Sequence, residues 1–286
     1  MIIDTHSHLN FNAYKKDFDE VIKKTLAENI WLINVGTKFK TSEQAVNLAK
    51  MYNEGIYAAI GLHPIYAAAE FQKIKTDPEE GNFLVKEQNF DKEAYKKLAE
   101  SKKVVAIGEI GLDYYYKPKT KTKLEQFKEK QKQVFLQQLD LAKELNLPVI
   151  LHCRAAHNDV IEILTLRQAQ GEIQKGVIHC FTGTGEQAQK YMDMGFYLGI
   201  NGIIFKFNID EVIKNAPLDK ILVETDCPYL IPLPAVALAK LGSQGYARNE
   251  PIFIKHTIQK IAELKGISFK EVADQTSENA RKLFGV

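Results

Sequence analysis

Short apolar runs rich in Val, Ile and aromatic residues recur along the chain at residues 2–4, 31–36, 56–61, 104–109, 148–152, 176–181, 196–200 and 221–226. Between most of them the hydrophobic positions switch to a helical period. In the clearest case, residues 124–145, Leu124, Phe127, Val134, Phe135, Leu141, Ala142 and Leu145 spread over one broad face, as a helix packed on one side requires. Segments 41–53, 91–100 and 185–194 read the same way, and 252–264 and 269–284 read as helices closing the exterior. Strands that are apolar throughout belong to a parallel sheet covered by helices on its faces. Eight of them favour closure into a single (β/α)8 TIM-type barrel over the alternative, a doubly wound open sheet.

Two stretches break the alternation and read as insertions. Residues 70–90 mix charge with Pro78 and Gly81, and residues 230–247 carry Pro232, Pro234 and an apolar stretch at 235–241. Neither is long enough for a second domain, so residues 1–286 are expected to form one. The composition is ordinary for a globular protein, at 45% hydrophobic and 26% charged. A net charge of +2 gives no global basic field, so any case for a nucleic-acid partner has to be local. No basic start with a long apolar stretch and no bilayer-length apolar run is present, which points to a cytoplasmic protein without a membrane partner. Cys153, Cys180 and Cys227 are an odd number of cysteines in a long chain and are expected to be buried thiols.

The chemistry concentrates at strand ends. Of seven histidines, His6, His8, His63, His152 and His179 fall at or just past the ends of predicted strands, as do Glu109, Glu224 and Asp226. In a barrel these ends share one face, the face that carries barrel active sites. Alternation along a strand sends Asp4, His6 and His8 to one side. The same alternation turns each cysteine, which directly follows His152, His179 or Asp226, away from the ligands. Imidazoles with carboxylates suit Zn, Mn, Fe or Co, and carboxylates can bridge two divalent ions. Glu109 is the bridging candidate and Asp226 the candidate proton acceptor. Glu224 is placed to orient a ligand or a bound water. His157 and His256 lack strand-end placement and are read as surface or helix residues.

These motifs run through almost the whole chain: Ile3-Asp4-Thr5-His6-Ser7-His8-Leu9, Gly61-Leu62-His63-Pro64, Ala106-Ile107-Gly108-Glu109-Ile110-Gly111-Leu112-Asp113-Tyr114, Leu151-His152-Cys153-Arg154, Ile178-His179-Cys180-Phe181-Thr182-Gly183, Glu224-Thr225-Asp226-Cys227-Pro228-Tyr229 and Arg248-Asn249-Glu250-Pro251. As an ordered set they resemble the TatD-type metal-dependent deoxyribonucleases of the amidohydrolase-like superfamily. The resemblance implies a TIM-type barrel, divalent metal ions (Mg, Mn or Zn) and hydrolysis of DNA, often from a 3′ end. It implies that His6, His8 and Asp226 hold one ion, that His152 and His179 hold the other, and that Glu109 bridges. It also implies that His63, Arg154 and Arg248 lie near the substrate phosphate. The longer 230–247 and 70–90 segments depart from the family pattern, which bears on the substrate rather than the metals.

After Tyr114, Tyr115 and Tyr116, residues 117–132 hold seven lysines against two glutamates. Cations attract phosphates and tyrosines stack bases, although a solvated helix face reads the same way. The partner expected is DNA, single-stranded or at 3′ ends, without an obligate protein partner. Two other functions compete. One is hydrolysis of a carbonyl ester or amide, such as aminoacyl-tRNA, and the other is a non-catalytic partner-binding protein with a structural metal. Glu109 stands where some relatives in the superfamily carry a bridging carboxylated lysine.

Overall fold

The eight apolar runs form strands β1 (Ile2–Ser7), β2 (Ile30–Val35), β3 (Ile56–Ile60), β4 (Val104–Asp113), β5 (Val149–Arg154), β6 (Gly176–Ile178), β7 (Tyr197–Ile200) and β8 (Ile221–Val223). Each pairs in parallel with the next in sequence. A parallel bridge between Ser7 and Cys227 joins the ends of the sheet. This is the (β/α)8 barrel, seen in a computed structural model that describes residues 1–71, 78–81, 86, 88–172, 175–234 and 247–286. Most of the 70–90 and 230–247 segments therefore lies outside the described residues.

Helices α1 (Phe18–Ala27), α2 (Phe39–Lys50), α3 (Pro64–Ala67), α4 (Lys92–Leu98), α5 (Lys121–Leu145), α6 (His157–Ala169), α7 (Gly185–Asp193), α8 (Asp210–Asn215), α9 (Ile254–Lys265) and α10 (Phe269–Phe284) alternate with the strands and cover them. The long amphipathic helix falls where its period predicts, ending at Asn146 in the left-handed conformation that asparagine tolerates. No helix among the described residues is long and apolar enough to cross a membrane.

The core divides into two layers. Ile3, Ile33, Ala59, Val105, Ile150, Val177 and Leu222 pack together inside the barrel, with Ala280 and Phe284 of α10 against them. Ile2, Leu32, Ala58, Val149, Leu198 and Ile221 instead pack with residues of the surrounding helices. A strictly alternating β1 would send His6 the way of Ile2, out of the barrel. Register breaks between Asp4 and Ser7 and between Ile107 and Ile110 fall on the two strands that carry His6 and Glu109. Bulges of this kind re-aim side chains beside functional sites. Asp4 parts company with the histidines: its carboxylate accepts from the Thr225 hydroxyl at 2.5 Å and the Thr225 amide at 2.9 Å, tying β1 to the segment after β8.

His157, expected on the surface or in a helix, is a helix residue and is buried. As the first residue of α6 it packs against Phe181 and Tyr191, and its Nδ1 lies 3.2 Å from Cys153 Sγ. Burial, reinforced by the charge on His152, lowers its pKa to about 4. The unfolded chain, with an ordinary imidazole, takes up a proton that the folded chain refuses between about pH 6.5 and 4, so stability must fall as pH falls through that window. The contribution is on the order of 3 kcal/mol. In urea titrations at pH 7 and pH 4.5, His157→Gln should lose less stability on acidification than the wild type. Equal losses would show that His157 does not carry this term.

Candidate metal centre

Every proposed ligand lies at the C-terminal mouth of the barrel, around a cleft of about 420 Å³ lined by His8, His63, Glu109, His152, His179 and Asp226, with Arg154 and Tyr229 at its walls. Four sets of potential ligand atoms converge there: His6 with His8 and Glu109, Glu109 with His152 and His179, His6 with His179 and Asp226, and His63 with Asp113 and His152. Glu109 belongs to two of them. Its Oε2 is 3.4 Å from His6 Nε2, and its Oε1 is 2.7 Å from His152 Nδ1 and 3.9 Å from His179 Nε2. Asp226 stands 3.4 Å from His8 and 3.8 Å from His6, and also 3.9 Å from His179. It thus reaches across the expected division between the two ligand groups. No cysteine joins any set among the described residues.

Hydrogen bonds fix which nitrogen His8 and His63 offer. His8 Nδ1 lies 2.8 Å from the Val35 carbonyl, which can only accept, so Nδ1 carries the proton and Nε2 turns its lone pair to the cleft. Glu224 Oε1 lies 2.8 Å from His179 Nδ1, an ion-pair contact that draws positive charge to that side of the ring. Glu224 is itself held by the Cys180 amide at 2.8 Å and the Asn201 amide nitrogen at 3.0 Å. Phe11 stacks on the His8 ring at 4.3 Å, and the His6 and His179 rings stack at 3.6 Å. His63 behaves oppositely. Its Nδ1 accepts from the Ile65 amide at the start of α3, so the proton sits on Nε2, 3.5 Å from Glu109. That tautomer makes His63 a hydrogen-bond donor to the cleft rather than a ligand.

These residues fit a resident cation. The Nε2 atoms of His6 and His8 face each other at 3.1 Å, and His6 Nδ1 is buried without a hydrogen-bond partner among the described residues. Burial alone would raise the Glu109 pKa, but the imidazoles of His63, His152 and His6 outweigh it and hold the carboxylate well below its usual range. Asp226 is likewise lowered, with His179 and His8 outweighing burial. Burial lowers the His152 pKa, yet Asp113 and Glu109 raise it to about 9. His179 is raised to about 10, because Glu224 and Asp226 overcome burial. Ionised carboxylates facing imidazoles that attract protons form a donor set in which a metal ion would replace the protons.

Asp113 is the residue the sequence reading missed. β4 runs four residues past Glu109, and Asp113 Oδ2 meets His152 Nε2 at 3.1 Å and Arg154 at 2.9 Å (Nε) and 2.6 Å (Nη2). The spacing of Glu109, Gly111 and Asp113, with every second residue turned to one side, was the signal available. Gly111 makes the close approach possible: at φ 139°, an added Cβ would lie 2.1 Å from the His152 carbonyl oxygen. Glu80, from the described part of the 70–90 segment, also lines the cleft and takes Thr37 at 2.7 Å and Lys38 at 2.9 Å. Cys153 and Cys227 are buried as expected, whereas Cys180 is half-buried on the cleft wall.

Arg248, which the family pattern places near the substrate phosphate, is not among the residues lining the cleft. Its guanidinium is buried, bonded to Asp17 at 2.8 and 2.9 Å, to the Ala13 carbonyl at 2.8 Å and to Glu250 at 3.1 Å, and it lies over the Tyr14 ring. Removing one side of a buried ion pair leaves the other uncompensated. Arg248→Ala should therefore lower stability by about 3 kcal/mol or more, read by thermal unfolding, while KM stays near the wild-type value. A raised KM without a loss of stability would return Arg248 to the substrate.

The sequence model of the family described as TatD related DNase matches residues 3–285. The chain is 39% identical over 290 residues to the uncharacterized metal-dependent hydrolase YabD of Bacillus subtilis, with both chains covered completely. It is 33% identical over 292 residues to a protein of Escherichia fergusonii named 3'-5' ssDNA/RNA exonuclease TatD, covering 100% of this chain and 99% of that one. Among solved structures, the TatD homologue YJJV of Escherichia coli superposes with a TM-score of 0.78 at 28% identity, over 100% of this chain and 98% of that one. An organophosphorus hydrolase from Deinococcus radiodurans, at 13% identity and a TM-score of 0.57, shares the fold alone.

Proposed function

Since the chain belongs to the TatD-related DNase family and is a metal-dependent hydrolase, we propose that it hydrolyses phosphodiester bonds of DNA as a 3′-5′ exonuclease on single strands. Residues 1–286 act as one catalytic unit, with two divalent ions at His6, His8, Glu109, His152, His179 and Asp226. The observation that carries this reading is Glu109, shared by two histidine sets on the floor of a cleft open to substrate. When bound, such ions acidify water and stabilise the attacking and leaving oxygens of an in-line displacement.

The protein's own groups then divide the work. Asp226 keeps some exposure to the cleft, 14% of its side chain, and is ionised, so it can accept the proton of the attacking water. His63 presents Nε2–H where a phosphate oxygen can accept it. Arg154 spends Nε and Nη2 on Asp113 and directs its remaining N–H groups toward the substrate phosphate. Asp113 positions both His152 and Arg154, and Glu224 positions His179.

The test is a single-stranded DNA oligomer labelled at its 5′ end, incubated with the metal-loaded protein. A ladder that shortens from the 3′ end supports the reading. Internal fragments appearing first would make the activity endonucleolytic. Hydrolysis of aminoacyl esters with DNA left intact would overturn the nuclease assignment.

A further inference from the structure

Beyond Asp113 the chain crosses the rim of the cleft in three consecutive tyrosines with different fates. Tyr114 is buried and donates its hydroxyl to Asp159 at 2.9 Å. Tyr115 and Tyr116 stay 61% and 54% exposed, their rings set edge to face at 4.8 Å. The Arg154 guanidinium lies 4.8 and 5.3 Å from the two ring centroids, pinned from beneath by its two bonds to Asp113. Two aromatic rings and a guanidinium plane are thus anchored to a buried carboxylate at the lip of the metal cleft, which Arg154 itself lines.

The next residues are basic. Lys117, Lys119, Lys121 and Lys123 are all exposed, and none is in an ion pair among the described residues. Lys121 and Lys123 sit in the first turn of α5, which holds no acidic residue. A helix N-terminus is where the backbone dipole disfavours cations, so local stability does not account for this placement. Farther along the helix the lysines are engaged with the protein, Lys128 over the Tyr114 ring and Lys132 with Asp159 at 2.8 Å. Glu125 and Glu129 are the acids of this stretch, and both follow the basic turn.

We infer that Tyr115, Tyr116 and Arg154, continued by Lys117 to Lys123, form a binding subsite for single-stranded polynucleotide that holds the nucleotides next to the one being hydrolysed. The inference rests on the nuclease reading. Exposed rings stack bases whatever their identity, and a base offers its face only when unpaired, so the platform selects single strands without selecting sequence. The lysines bind the phosphates, an attraction that is salt-dependent and blind to sequence.

The test compares steady-state hydrolysis of a dinucleotide and a 12-mer single strand by metal-loaded wild type, Tyr115→Ala/Tyr116→Ala, and Lys119→Gln/Lys121→Gln/Lys123→Gln. Because the substituted side chains are exposed, unchanged thermal unfolding is expected. The tyrosine variant should raise KM for the 12-mer roughly 5- to 100-fold, with a smaller rise for the dinucleotide, which reaches only the first position of the subsite, and with the loss in KM rather than kcat. The lysine variant should flatten the slope of log KM against log salt by about 2, at about 0.7 for each phosphate no longer neutralised. Wild-type KM and wild-type salt slope in both variants, with hydrolysis intact, would overturn the subsite and leave the nuclease reading standing. An equal loss on duplex DNA would overturn stacking on an unpaired base. If the wild type cleaves neither substrate, the nuclease reading fails and the subsite with it.

Discussion

Replacing Asp226 with Asn is expected to lower kcat by about 10³-fold or more while the barrel stays folded. The carboxylate lies within 4 Å of His6, His8 and His179, is held in its charged form, and is partly open to the cleft where those imidazoles are buried. Asparagine keeps the shape and removes both the charge and the proton acceptor. It also suits the backbone, because Asp226 sits at φ 55°, in the left-handed region that Asn occupies more readily than most residues. A loss of activity in this variant therefore cannot be assigned to backbone strain. The measurement is kcat and KM on a single-stranded oligomer beside a thermal unfolding curve. A kcat within tenfold of wild type would remove Asp226 from the role of base.

Glu109→Gln should be as damaging to activity, about 10³-fold or about 4 kcal/mol of transition-state stabilisation, and different in its effect on metal content. Glu109 is buried at 4% exposure among His6, His63, His152 and His179. It is the one carboxylate common to two of the ligand sets. A neutral amide cannot offset two divalent ions, so the bound count after dialysis should fall from two per chain to at most one. Asp226→Asn, which keeps that carboxylate, should retain more metal than Glu109→Gln. Equal metal content in wild type and Glu109→Gln would show that the residue does not bridge.

The barrel and its site were legible in the sequence to different depths. Eight apolar runs alternating with helical periods already implied a covered parallel sheet, and candidate ligands placed at strand ends then had to converge whatever their separation along the chain. His6, His8, Glu109, His152, His179 and Asp226 meet for that reason. Register was harder to read. The breaks in β1 and β4 depend on neighbouring strands, so simple alternation wrongly kept Asp4 with the histidines and stopped β4 at Glu109, hiding Asp113. β6 and β8 end early, at Ile178 and Val223, and left-handed backbone at Cys180 and Asp226 takes over from the strands. The surroundings of Arg248 and His157 were hidden for another reason. Whether a polar side chain meets substrate, solvent or a buried partner depends on elements distant in sequence, here Asp17 for Arg248 and Tyr191 for His157.

The most direct test of a two-ion hydrolytic centre is to strip the protein with chelator, return Mg²⁺, Mn²⁺ or Zn²⁺ in measured steps, and follow ions bound per chain together with cleavage of a 3′-labelled single strand. The stripped protein should not cleave, and cleavage should be complete at two ions per chain. Cleavage that survives complete removal of metal would contradict a two-ion centre, as would intact DNA in protein carrying both ions.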